Sequence, residues 1–93
     1  MIQRVELSKH ARKDLARVPS HIAIKLDYWI AAIEKEGLEQ VRKVPGFHDG
    51  PLKGFRAEQR SIRLSRAYRA IYRVGAKDTI EFVLIEEVSK HEY

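Results

Sequence analysis

The stretch Arg60–Val74 reads R-S-I-R-L-S-R-A-Y-R-A-I-Y-R-V. Its arginines are set among Ile, Leu, Ala and Tyr, which is the text of β-strands. Strands alternate faces, so such a segment buries one face and presents fixed guanidinium groups on the other. The pattern predicts strands at about Arg60–Ser65 and Ala67–Val74. A third follows at Thr79–Val88, after a turn at Gly75-Ala76-Lys77-Asp78, and the short connections imply antiparallel hairpins. In the second strand Arg69, Ile71 and Arg73 share a face opposite Tyr68, Ala70, Tyr72 and Val74. In the first, Arg63 is on the opposite parity to Ile62 and Leu64. The third strand has Ile80, Phe82 and Leu84 on one parity and Val83 and Ile85 on the other, so it is expected to be central and covered on both sides.

Upstream, Ile2–Leu7 alternates as a short strand. Ser8 is a good N-cap for a helix whose apolar positions are Ala11, Leu15 and Val18. Pro19 breaks that helix, and Ser20 is expected to cap a second one with the stripe Ile22, Leu26, Trp29, Ile30 and Ile33. Gly37 is its natural C-cap. Leu38–Val44 adds at most one helical turn, Pro45–Gly54 is a loop, and Ser89–Tyr93 is a polar tail. The expected fold is therefore α+β, in the order β-α-α-β-β-β, with two helices on one face of a small, mostly antiparallel sheet. One domain spanning 1–93 suits this length. The sheet face away from the helices is expected to be a concave basic surface.

The net charge of +5 is unevenly spread. Residues 53–75 hold seven cations and one anion, against nine and seven in 1–52 and two and five in 76–93. That local excess points to a polyanion, with nucleic acid first. With no cysteine in the chain, disulfides, zinc–thiolate sites and thiol chemistry are excluded. The N-terminus lacks the apolar run of a signal peptide, and no stretch approaches a membrane span, so a cytoplasmic protein is expected.

Candidate chemistry starts with the arginines. Arg63, Arg69 and Arg73 suit a phosphate clamp, whereas Arg66 belongs to a turn or rim. Arg56 and Arg60 add to the basic block. The same arginines would equally serve as cross-strand partners of Glu81, Glu86 or Glu87, and the residues leave both readings open. His91, in the terminal S-K-H-E-Y, could accept or donate a proton during phosphodiester cleavage by a neighbouring 2′-hydroxyl; an exposed terminal histidine is the plain alternative. Lys90 and Tyr93 share that ambiguity. Lys53 lies near Gly50 and Gly54, which permit close backbone approach. His10, His21 and His48 show no metal-ligand spacing, and no metal or cofactor is implied.

The succession P-L-K-G, R-S-I-R-L, Y-R-A-I-Y, F-V-L-I-E-E-V and K-H-E-Y resembles the RelE/ParE superfamily of bacterial type II toxins, and most of all its HigB-like and YoeB-like mRNA interferases. The resemblance implies a microbial-ribonuclease-like fold, metal-independent cleavage of mRNA on the ribosome, inhibition of translation, and neutralisation by a cognate, DNA-binding antitoxin. Lys53 matches the family's loop lysine, Arg63 and Arg69 its strand arginines, and His91 and Tyr93 its C-terminal proton-transfer pair. Arg56, Arg60, Arg73 and Lys90 would then contact RNA. Gly50 stands where YoeB-like members carry a glutamate, with Asp49 one place earlier, so the general base is unassigned. A ParE-like inhibitor of DNA gyrase shares the fold and is the alternative, as is a plain nucleic-acid-binding module.

Overall fold

The structure is a computed structural model that describes residues 1–90. Among these residues, a sheet of five strands carries three helices on one face. The elements in chain order are β1 (Val5–Leu7), α1 (Lys9–Leu15), α2 (Ser20–Glu36), α3 (Leu38–Val41), β2 (Gly50–Pro51), β3 (Arg60–Arg63), β4 (Tyr68–Lys77) and β5 (Ile80–Lys90). The strand order is β1-β5-β4-β3-β2. β1 runs parallel to β5, and every other pairing is antiparallel. No helix among the described residues is long and apolar enough to cross a membrane.

The helix stripe forms as its spacing requires. Ile22, Leu26, Trp29 and Ile33 lie on one side of α2, fully buried against Ile62, Ala70, Tyr72, Val83, Ile85 and Val88 of the sheet. The Trp29 and Tyr72 rings meet at 5.1 Å with their planes 51° apart, a tilted arrangement favoured by the ring quadrupoles. Ser8 caps α1 as expected: its Oγ accepts from Ala11 N at 3.0 Å. The same hydroxyl donates to Glu86 O at 2.8 Å, and Asp14 Oδ2 accepts from Val88 N at 2.9 Å, so α1 is bolted to the far end of β5.

Several local expectations are corrected. Ser20 is already helical, and Pro19 caps α2 without a side-chain bond. Its fixed φ suits a helix entrance, and its carbonyl accepts from Ile22 N at 3.0 Å. The first strand begins at Val5, since Val5–Leu7 are the residues registered against Val83–Ile85. The loop after α3 contains a short strand, β2, paired with β3. Gly75 is not in a turn: β4 runs on to Lys77, and Asp78 and Thr79 alone make the connection, Asp78 at φ 56°. A two-residue hairpin needs positive φ, which Asp tolerates. Gly75 instead lies under the Phe82 ring, where a Cβ would come within 2.9 Å of it. β5 extends to Lys90 through what reads as a polar tail.

β5 is central, between β1 and β4, but helices cover only one of its faces. Ile80 is 57% exposed, and Phe82 and Leu84 are half-buried. Between the pairs Ile71–Glu87 and Tyr72–Ile85 a bulge adds Glu86 to β5. The extra residue resets the alternation, so that Val88 faces the helices with Val83 and Ile85.

Candidate nucleic-acid interface

β3 and β4 register Ser61 against Ile71, Ile62 against Ala70, and Arg63 against Arg69. Ile62 and Ala70 go into the core, which sends Arg63 and Arg69 together to the other face. Like charges directly opposite one another destabilise a strand pair. Neither arginine is held by a carboxylate among the described residues, and Arg69 Nε is buried without a hydrogen-bond partner there. A buried, unanswered guanidinium N–H opposite a second guanidinium is a site short of an anion.

An open pocket of about 160 Å³ lies at this end of the sheet, lined by Arg63, Arg66, Arg69, Ser61, Tyr68 and His48. Arg66 belongs to the β3–β4 turn, as its position suggested, yet it lines the pocket too. Ser65 shapes that turn, its Oγ accepting from Ala67 N and Tyr68 N at 3.1 Å each.

The other candidate cations are disposed differently. Arg60 shares the parity of Ile62 and faces the helices. Its Nε donates to Asp49 Oδ1 at 2.7 Å, so it stands apart from the pocket. Arg56 Nη2 donates to Glu87 Oε1 and its Nε to Gln59 Oε1, both at 2.7 Å. Arg73 lies on the face of Arg69 but makes an ion pair with Glu86 at 2.9 Å. The cross-strand reading thus holds for Arg73, while Arg63 and Arg69 escape it; Arg56 reaches Glu87 from the 3₁₀ turn outside the sheet. Lys53 precedes the short 3₁₀ turn Gly54–Arg56 and is exposed, as is Lys90 at the end of β5; neither lines the pocket. His91 and Tyr93 lie outside the described residues.

Asp49, the carboxylate nearest the position where the resembled toxins carry a glutamate, has a side chain only 1% exposed. One oxygen accepts from Arg60 and the other from the Tyr72 hydroxyl at 2.5 Å. The Tyr72 hydroxyl in turn accepts from Arg42 Nε at 3.4 Å. Burial first, and the Asp49 hydrogen bond second, push the Tyr72 phenol up to about 12. Burial works to lower the Arg60 guanidinium, but the Asp49 bond and charge outweigh it and leave it raised.

His48 is the residue that sequence reasoning passed over. It sits in a left-handed conformation, φ 47°, just after a 3₁₀ turn, Pro45–Phe47, and its N–H donates to Pro45 O at 3.1 Å. Lys25 of α2 lies 5.1 Å from the Phe47 ring and holds that turn from the helix side. Only its place, one residue before an aspartate in a Gly- and Pro-rich loop leading to the arginine strands, marked it. Three arginines and an imidazole around one open pocket can bind a phosphodiester and move a proton at it.

No protein-family model matches this chain, and no curated protein matches it. Solved structures do. A chain of the E. coli DinJ–YafQ toxin–antitoxin complex superposes with a TM-score of 0.70 at 22% identity, over 97% of this chain and 94% of that one. A YoeB/ParE toxin from Agrobacterium tumefaciens gives 0.68 at 18%, over 96% and 99%. The RelBE2 toxin–antitoxin complex of Mycobacterium tuberculosis gives 0.64 at 23%, over 98% and 100%. This chain therefore has the fold found in the YoeB/ParE, DinJ–YafQ and RelBE2 structures, along essentially its whole length.

Proposed function

We propose that this chain is the toxin of a type II toxin–antitoxin pair, an endoribonuclease that cleaves mRNA on the ribosome and so stops translation. The observation that carries this reading is the opposed pair Arg63 and Arg69, with no carboxylate partner among the described residues, beside His48 in one pocket. The 2′-oxygen of a ribose attacks the adjacent phosphorus, the bond to the 5′-oxygen breaks, and a 2′,3′-cyclic phosphate and a 5′-hydroxyl result. Arg63 and Arg69 hold the non-bridging oxygens as their charge grows. His48 serves one of the two proton transfers, taking the 2′-hydroxyl proton or protonating the leaving 5′-oxygen. His91, with Tyr93, is assigned the other, and Asp49 is left out because both its oxygens are occupied. Lys53, Arg56, Arg73 and Lys90 are assigned to the flanking RNA backbone. Arg60 is tied to Asp49 and holds the fold rather than the message. The likeness to toxins solved as toxin–antitoxin complexes supports a protein antitoxin as the partner.

Primer-extension mapping of mRNA in a translating extract, with and without ribosomes, tests the assignment. Wild-type protein gives discrete cuts, and Arg69→Ala, His48→Ala and His91→Ala each weaken them. Intact messages together with trapped DNA–gyrase cleavage complexes would overturn it in favour of the ParE-like activity.

A further inference from the structure

The loop from Arg42 to Lys53 carries His48 to the pocket with almost no regular structure of its own. Part of its grip on the rest of the molecule comes from a partly buried polar chain beneath it. Arg42 donates to Tyr72, Tyr72 donates to Asp49, and Arg60 donates to the second oxygen of Asp49. That chain joins the end of α3, the middle of the loop, β3 and β4. A carboxylate so enclosed is stable only with its donors in place, so the loop docks with Asp49 fully bonded or does not dock. Gly50, next along, pairs with Ser61, which extends the sheet under the loop. On the other side of Asp49 lies His48, at the pocket.

We propose that Asp49 is a positioning residue: its carboxylate, held by Tyr72 and Arg60, fixes the loop so that His48 stands beside Arg63 and Arg69. The kinetic consequence rests on the ribonuclease reading above, whereas the docking of the loop does not. Asp49 acts through His48 and touches no substrate. Arg63 and Arg69 reach the pocket from β3 and β4 independently of it, so RNA binding and proton transfer separate.

The test uses the full chain with Tyr72→Phe, which removes one donor at nearly constant shape, alongside Asp49→Asn. Hydrogen exchange at the Phe47, His48 and Leu52 amides, each hydrogen-bonded in the docked loop, reads docking without reference to activity. These amides are expected to exchange about tenfold faster or more in the variants, while the paired amides of β4 and β5 keep their protection. Unchanged exchange in the loop overturns the proposal. On RNA, Tyr72→Phe is expected to lower kcat roughly tenfold to a hundredfold, with KM within about twofold. In a His48→Ala background the same substitution adds no further loss. An equal loss in both backgrounds means a general structural effect and overturns the proposal. If His48→Ala itself leaves cleavage intact, the catalytic reading of His48 fails, and the exchange experiment still decides the docking.

Discussion

The two faces of the β3–β4 pair use the same residue type to opposite ends. Towards the helices, Arg60 is matched: Asp49, its side chain buried, answers the charge, and Tyr72 completes the carboxylate. On the other face Arg63 and Arg69 are set against each other, with no carboxylate among the described residues to answer them. Farther along that face Arg73 and Arg56 have Glu86 and Glu87. Cation count therefore says little about where an anion would bind; the distribution of carboxylates says more. The acidic residues of β5 neutralise two arginines and spare the pair at the pocket.

That contrast can be broken most forcefully at the pocket. Arg69→Ala is expected to cost on the order of 10²–10³ in cleavage rate, measured on a defined message with ribosomes, while thermal unfolding barely moves. Asp49→Ala is the mirror experiment. It leaves Arg60 and the Tyr72 hydroxyl without their acceptor, and denaturant unfolding is expected to show a loss of about 2–3 kcal/mol. A smaller effect follows from pH. The Tyr72 pKa is raised, so the folded state keeps a proton that the unfolded chain gives up. The stability from this group is complete below about pH 10 and declines as pH rises towards about 12. Unfolding free energies measured across that window should decline for this reason in the wild type, and Tyr72→Phe should lack that component. The least effect belongs to Glu87→Gln. It frees Arg56 from a partly exposed pair, so stability should change by less than about 1 kcal/mol, and RNA affinity should rise slightly with a steeper salt dependence.

Much of the fold was legible because strands and helices carry periods. The α2 stripe, the Ser8 cap and the alternation in Arg60–Val74 each state their own geometry. Reading failed where the period was interrupted. The bulge at Glu86 changes which face every later residue of β5 occupies, and nothing in F-V-L-I-E-E-V announces an extra residue. Gly75 looked like a turn because glycine usually is one, yet here it makes room for Phe82. At the site, Arg63 and Arg69 followed from parity alone. Arg60 shares the parity of Ile62, so the same alternation puts it on the helix face; its partner Asp49, eleven residues back across a loop, is what no local pattern encodes. His48 was passed over for the same reason: loops have no period, so a side chain delivered by one is visible only once the loop is folded.

β1 has consequences for the order in which the molecule can form. Its one partner in the sheet is the segment Val83–Ile85, close to the opposite end of the described chain. While the protein is being synthesised, Val5–Leu7 has nothing to pair with until almost everything between has been made. α1 waits as well, since Ser8 and Asp14 bond to Glu86 and Val88. Contacts this distant in sequence slow folding and must wait until β5 has been made. The hairpin of β3 and β4, by contrast, needs only its own few residues to close. The arginine pair can thus come together early, but the core that holds it rigid is sealed last.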